Sequence, residues 1–513
     1  MVKKFTSSIL GASIFISILM LAGRGLGFLR EVVYAGYFGI GDQFDLFLVS
    51  AVFPITINTV IYYLGQNYFI PAYNKAVNLK KSESDKLLSQ TLIIFFIGGI
   101  LISVFLFLIS DFIFDLYLKS SSAQIKNTAS TIFNIFLTTI PLFSCTSILS
   151  SYLHAKLEYS FPAVSRLFLN ICIIFLILMF TNKLGIYVIP IGYALGVLIQ
   201  FIYLFVMSFK FGELKTILFR LDRALLLKNI KSSILIIILI ESISQLYLIA
   251  DRFFYSSLPS GGIASLNYAF NLFVFPIAVF SFAITTAIFP RISDAFVKSA
   301  DTEIRKIAFE SVSATIVIFT PIAFLFIFFS EPIIKLVFER GSFSSEATIM
   351  TAEVLKIYGL SLIFYSVYTV MNKILYSAEL LKQLLFITIA GIIIKLLINF
   401  ISVDSLNQSG LAMGTAVSYI SFLFFSVYLI NKHLKINFTR KIIYDLLFNL
   451  VNASVCFVII LIICKLFIQG NFFTQIFFLT IFVAIFISNL VLLNHPSTEI
   501  ILNLFKKIRC KIY

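Results

Sequence analysis

Apolar runs of membrane-crossing length recur from one end of this chain to the other and leave no room for a soluble core. A helix needs about 20 predominantly apolar residues to cross ~30 Å of hydrocarbon. Such runs occupy residues 8–38, 44–71, 91–117, 128–153, 161–181, 184–209, 230–257, 262–290, 308–338, 352–377, 384–402, 409–431, 443–468 and 473–493. Composition agrees. Of 513 residues, 60% are hydrophobic and 12% charged, where soluble domains run at roughly 45–50% and 25%. In hydrocarbon the backbone must satisfy its own polar groups, which helices do within each segment. The fold class is therefore an all-α polytopic membrane protein of about 14 transmembrane helices.

The formal net charge of +15 raises the question of nucleic acid, and its distribution answers it. With Lys3 and Lys4 in the cytoplasm, alternate loops on that side carry about 28 of the 39 basic residues, among them Lys75, Lys80, Lys156, Arg166, Lys210 and Arg291. That asymmetry is the positive-inside pattern, a topology signal rather than a nucleic-acid footprint. Both termini are then cytoplasmic, and the first run is an uncleaved span because no small-residue cleavage site follows it. The five cysteines show no metal-ligand spacing, and the three histidines (His154, His433, His495) stand singly at span ends. There is no GxxxxGK phosphate loop and no HExxH. No catalytic residue, metal or cofactor is expected, and the chain does not read as an enzyme.

The two halves resemble each other weakly. Phe53-Pro54-Ile55 followed by Phe69-Ile70-Pro71 recurs as Phe275-Pro276-Ile277 followed by Ile288-Phe289-Pro290, offset by 222 and 219 residues at the two prolines. Both copies run from an outside loop to an inside loop, so the repeat is parallel, and transporters commonly place their path between two such halves. The expected organisation is an N-terminal lobe over 1–209, a basic cytoplasmic linker over 210–229, a second six-helix lobe over 230–431, and two appended helices with a basic tail over 432–513. The lobes are expected in a pseudo-twofold arrangement.

Charges inside spans are costly and mark functional candidates. Arg24 and Arg30 stand in the first span within Gly23-Arg24-Gly25-Leu26-Gly27-Phe28-Leu29-Arg30. Six residues at 100° each put them on different faces of an unbroken helix, so the glycines are expected to break it and bring both guanidiniums to one cavity. Asp45 opens the second span as a partner for one of them. Glu241, near the middle of the seventh span with Gln245 one turn on, is a candidate for coupling to a cation or proton. Asn58, Gln66 and Asn67 in the second span, and Asn267 and Asn271 in the eighth, suit either sugar hydroxyls or interhelical hydrogen bonds. Lys395 is also intramembrane, with reach to the outer interface.

The stretch from Gly23 to Glu31, continuing through Phe38-Gly39 to Asp45, resembles the opening signature of the MurJ/MviN family of lipid II flippases. Asp251-Arg252, Leu266-Asn267-Tyr268-Ala269 with Pro276, Phe289-Pro290-Arg291-Ile292-Ser293 and Phe338-Glu339-Arg340-Gly341-Ser342-Phe343 match too. The resemblance covers nearly the whole chain. It implies two six-helix lobes, alternating access, and a polyprenyl-diphosphate-linked glycan moved from the cytoplasmic to the outer leaflet of a bacterial inner membrane, for peptidoglycan or surface polysaccharide. Membrane lipid and a monovalent cation or the membrane potential are the other implied partners. Arg24 and Arg30 match two of the family's cavity arginines, and Asp45 an acidic position. Two further arginine positions read Pro54-Ile55-Thr56-Ile57-Asn58-Thr59 and Phe270-Asn271 here, which implies a divergent member for lipid II or a related lipid-linked oligosaccharide. On this reading Arg24 and Arg30 meet the diphosphate, Asn58, Asn267 and Asn271 line the sugar path, and Asp45 completes the substrate-binding set beside the arginines. A cation-coupled multidrug exporter of the same superfamily, and a membrane-embedded glycosyltransferase or polymerase, are the alternatives.

Overall fold

The computed structural model describes residues 9–79, 81–118, 122–210, 232–467 and 472–492. The expected linker beyond Lys210 and the basic tail after Leu492 lie outside them. Every regular element among the described residues is helical. They form two compact units, Met1–Ala264 with Arg340–Phe343, and Ser265–Glu339 with Ser344–Tyr513.

In the first unit, α1 (Ile9–Phe38), α2 (Asp42–Leu64) and α3 (Ile70–Leu79) are followed by α4 (Lys81–Leu108), α5 (Ser110–Tyr117), α6 (Ala123–Leu137) and α7 (Thr139–Ala155). Then come α8 (Ser160–Leu184), α9 (Val188–Phe209) and α10 (Ser232–Arg252). The α1 helix stops at Gly39, whose φ of 57° suits glycine and lets its amide reach back to Ala35 O at 2.9 Å. The carbonyls left over at that end are taken by the returning segment Arg340–Phe343. Ser342 donates its amide to Gly36 O at 2.8 Å and its hydroxyl to Tyr37 O at 3.1 Å. Ile249 of α10 joins a core with Leu46, Val49, Val52, Phe114 and Phe133, and Phe253 stacks on Tyr117 at 4.7 Å. Packing onto α2 therefore ties this helix to the first unit, which ends at Ala264.

The second unit contains α11 (Gly262–Pro276) from Ser265 onward, α12 (Phe282–Val297), α13 (Asp301–Phe328), α14 (Ser330–Phe338), α15 (Ser345–Ser377) and α16 (Leu381–Leu434). The expected appended pair is α17 (Thr439–Phe467) and α18 (Phe472–Leu492). It packs on α13 through Val317, Phe324, Ala453, Cys456, Phe482 and Phe486.

Among the described residues, nine helical stretches are long and apolar enough to cross a membrane. Two are too long for one crossing, at 50 residues (Ser160–Phe209) and 54 residues (Leu381–Leu434), because ~1.5 Å per residue gives more than twice the hydrocarbon thickness. Both fold back on themselves. Between α8 and α9 the chain turns at Gly185, with φ of 55°, and the two helices close so tightly that a Cβ on Gly192 would stand 2.9 Å from Ile173 Cα and one on Gly196 2.7 Å from Leu169 Cα. Within α16 the turn is at Asn407, φ 49° and ψ −130°, and Ser418 Oγ donates to Gly391 O across the hairpin at 2.8 Å. Lys395 is buried within this hairpin, 2% exposed, rather than reaching an outer interface.

The repeated proline segments share a feature beyond proline. The first carries a π-helical turn at Gly65–Phe69 and the second one at Ile277–Ser281, directly after Pro276. At the first, a Cβ on Gly65 would collide with Ser147 Oγ, and that hydroxyl donates to Ile61 O at 3.2 Å. A π-turn carries one extra residue and leaves carbonyls short of partners, so the close approach of α7 and the serine hydroxyl support it.

Replacing Gly196 by Leu will drive α9 off α8 and lower stability by about 1–3 kcal/mol. Melting of the purified protein in detergent checks this, with a midpoint equal to the parent's counting against the tight hairpin.

Candidate functional site

The arginine-bearing segment is one unbroken helix. The expected break at Gly23 to Gly27 is absent, since α1 runs continuously through thirty residues. Gly23 and Gly27 lie on the face toward α8, while Gly25 faces open space. A Cβ on Gly23 would lie 3.6 Å from the Leu167 side chain, and one on Gly27 3.9 Å from Asn170 Nδ2. Small residues let two helices approach without a gap, the usual means of packing in lipid. Arg24 and Arg30 therefore point from different faces of one continuous helix.

Arg30 is held on three sides. Nη2 pairs with Glu31 Oε1 at 2.6 Å, Nη1 donates to Asn170 Oδ1 at 3.1 Å, and the guanidinium lies 5.3 Å from the Tyr34 ring centre. The Arg30 side chain is a quarter exposed and Glu31 almost wholly buried. Neighbouring helix residues seldom face each other, but these two long side chains reach. A pair with an extra hydrogen-bond partner offsets part of the cost of placing a guanidinium in an apolar setting. Arg24, six residues earlier, is half-buried.

Asn58 stands near this group. Its Nδ2 donates to Tyr193 Oη and to Thr139 Oγ1, both at 3.4 Å. Tyr193 packs on Phe136 at 5.0 Å, Phe136 on Phe47 at 6.2 Å, and Phe47 on Tyr34 at 6.0 Å. An aromatic layer thus runs from Asn58 to the ring beneath Arg30. One turn further along α2, the Tyr62 hydroxyl accepts from Arg166 and from Gln66 Nε2, and Gln66 also meets His154 Nδ1 at 3.3 Å.

Asp45 has a different partner from the expected arginine. It is 1% exposed, and its two carboxylate oxygens accept the amides of Gly261 at 2.8 Å and Ala264 at 2.6 Å. A carboxylate on the first amides of α11 meets the positive end of the helix dipole and satisfies donors that have no helical acceptor. Glu241 lies half-buried on α10. Asn267 and Asn271 belong to the second unit, where Asn271 Nδ2 donates to Asn267 O at 3.0 Å along their own helix. The structure thus joins Arg30 and Asn58 through one aromatic layer, sets Arg24 a turn and a half away, and gives Asp45 a clasp of backbone amides. Sequence reasoning missed Glu31, Tyr34, Asn170 and Tyr193. Glu31 was visible as a further charge in the same apolar run. The other three, single polar or aromatic residues in apolar runs, carried no signal.

A stack of hydrophobic helices with tightly paired hairpins and a fixed intramembrane cation is the make-up of a polytopic membrane transporter, and similarity to solved structures agrees on the fold. A "Lipid II flippase MurJ, inward closed conformation" superposes with a TM-score of 0.78 at 22% identity, covering 92% of this chain and 98% of that one. An inward-facing multidrug resistance MATE family transporter of the MOP superfamily reaches 0.64 at 13% identity, covering 82% and 98%. The family model described as "Lipid II flippase MurJ" matches residues 34–483, and the chain belongs to that family. Arg24 and Arg30 precede the matched residues. Among curated relatives, a "Probable lipid II flippase MurJ" of Buchnera aphidicola is 26% identical over 465 residues, covering 87% of this chain and 89% of the relative.

Glu31→Gln will remove the counter-charge of Arg30 and cost about 2 kcal/mol, below the 3–5 of a fully buried broken pair because Arg30 keeps some solvent. Asp45→Asn will weaken the clasp on α11 by about 1–2 kcal/mol. Thermal melts of the purified variants measure both, and unchanged midpoints would contradict the two assignments.

Proposed function

We propose that this protein is a flippase that carries a polyprenyl-diphosphate-linked glycan from the cytoplasmic to the outer leaflet, with lipid II as the first candidate. The observation that carries the reading is the pair of arginines on α1, one of them held by Glu31, Asn170 and the Tyr34 ring, in a chain whose relatives are described as lipid II flippases. A doubly charged, sugar-bearing head group is too costly to pass through hydrocarbon alone. A transporter lowers that cost by supplying fixed cations and hydrogen-bonding groups along the path. Arg24 and Arg30 meet the diphosphate, and Asn58, Asn267 and Asn271 the sugars. Asp45 acts one step removed, by anchoring α11.

In this reading all fourteen apolar segments cross the bilayer, both termini are cytoplasmic, and the two six-helix lobes move by alternating access in a bacterial inner membrane. No bond is made or broken, so the protein works as a transporter and not an enzyme. An inside-negative potential favours outward movement of the anion by ~2.3 kcal/mol per charge per 100 mV, and Glu241 is the candidate for a coupled monovalent cation. A cation-coupled multidrug exporter is the second reading, but it calls for an acidic cavity, and the guanidiniums of Arg24 and Arg30 argue against it.

Arg24→Ala is expected to abolish rescue of a strain depleted of its lipid-linked precursor flippase, while Arg24→Lys keeps partial rescue. The direct measurement is outer-leaflet accessibility of labelled precursor in vesicles. Sidedness that is the same with and without the protein would end the flippase reading.

A further inference from the structure

Below the Arg30 level, toward the end of the first unit that carries the Lys156 turn, a second set of polar side chains converges on Arg166. This arginine was read from sequence only as a basic loop residue. It lies seven residues into α8, one turn before Asn170, and is exposed. Its guanidinium sits 4.9 Å from the Tyr62 ring centre and donates to the Tyr62 hydroxyl. Gln66 Nε2 donates to the same hydroxyl and stands 3.3 Å from His154 Nδ1.

A surface arginine with no task samples many rotamers. This one is fixed by a ring below its plane and a hydroxyl at one edge. The hydroxyl takes one of five donors, so most of the guanidinium edge stays open to an acceptor. Arg24 is close by in the fold. A Cβ on Gly23 would lie 3.6 Å from the Leu167 side chain, so Arg24 and Arg166 are the chain neighbours of a single contact point, one on each helix. Along α8, Arg166 and Asn170 are one turn apart, about 6 Å, and Asn170 holds Arg30. Along α2 and the π-turn that continues it, Asn58, Tyr62 and Gln66 follow one another at intervals of four. Three helices therefore present two polar tiers at successive turns. The inner tier holds Arg30, Asn170 and Asn58, and the outer tier holds Arg166, Tyr62 and Gln66 with Arg24 beside it.

We propose that Arg166, pre-oriented by Tyr62 and Gln66 and flanked by Arg24, is a diphosphate ligand of the first unit that receives the head group one helical turn before it meets Arg30. The proposal rests on the flippase reading above and adds a binding residue and an order of contacts to it. Arginine suits the task because its planar fork binds phosphate oxygens in pairs.

The test uses the full chain in native mass spectrometry from detergent, titrated separately with undecaprenyl diphosphate, undecaprenol, inorganic pyrophosphate and phosphatidylglycerol. Wild type should bind undecaprenyl diphosphate well above undecaprenol. Arg166→Gln should weaken that binding about tenfold or more, as expected for loss of a charge-assisted hydrogen bond, with Arg166→Lys intermediate and undecaprenol unchanged. Tyr62→Phe keeps the ring but loses the acceptor, and should weaken binding less than Arg166→Gln. Pyrophosphate losing the same factor identifies the diphosphate alone as the recognised group, as proposed. Equal loss for phosphatidylglycerol would make Arg166 a general anionic-lipid contact and overturn the assignment. So would binding by Arg166→Gln within twofold of wild type while Arg24→Gln is impaired, a result that leaves the flippase reading standing. A melting temperature lowered in Arg166→Gln with binding preserved assigns the arginine to tying α8 to α2 and also overturns it. Failure of the wild type to prefer undecaprenyl diphosphate over undecaprenol would instead remove the flippase reading itself.

Discussion

Hydrocarbon offers no partner to a charge or an unpaired amide, and the folded chain is organised around that fact. Arg30 is tolerable in α1 because Glu31, Asn170 and the face of Tyr34 surround it. Asp45 is tolerable because two backbone amides at the start of α11 take both its oxygens. Hydroxyls are settled more cheaply. Ser50, Thr91 and Thr320 each donate to the carbonyl four residues earlier, at 2.7–2.8 Å. Many polar groups in the described spans are thus either spent on their own helix or gathered into a few sites where several elements meet.

Glycine has the opposite task. In water the Gly23 to Gly27 segment would be a weak point in a helix. In this bundle Gly23 and Gly27 keep bulk out of the seam with α8, where a Cβ would stand at ordinary contact distance, 3.6 and 3.9 Å, from the nearest side chain. Gly192 and Gly196 do the same between α8 and α9, and Gly65 makes space for the hydroxyl that supports a π-turn. Where glycine does bend the chain, at Gly39 and Gly185, its φ is positive and a helix ends.

These two devices together explain how a basic seam survives inside an apolar unit. Close packing brings α1 and α8 together, and α2 joins them through Asn58 and Tyr62, so that groups distant in sequence share one short stretch. Arg30 and Asn170 are 140 residues apart and Arg166 and Tyr62 are 104 apart. In the flippase reading, that convergence is what supplies a head group with successive cationic contacts. The π-turn beside Tyr62 and Gln66 belongs to the same region, and a second π-turn follows Pro276 in the other repeat.

Much was legible before any coordinates. The hydropathy pattern gave the helical membrane class and marked Arg24, Arg30 and Asp45 as residues out of place in their surroundings, because transfer cost is a property of each residue and its near neighbours along the chain. Partnership is not such a property. That glycines pack rather than break α1, that Asp45 binds amides rather than arginine, that α10 joins the first unit, and that Asn170, Tyr193 and Arg166 stand at the polar tiers were decided by which helices abut. Contact between helices depends on side-chain shape across a hundred residues or more of intervening chain, and only the tertiary structure contains it.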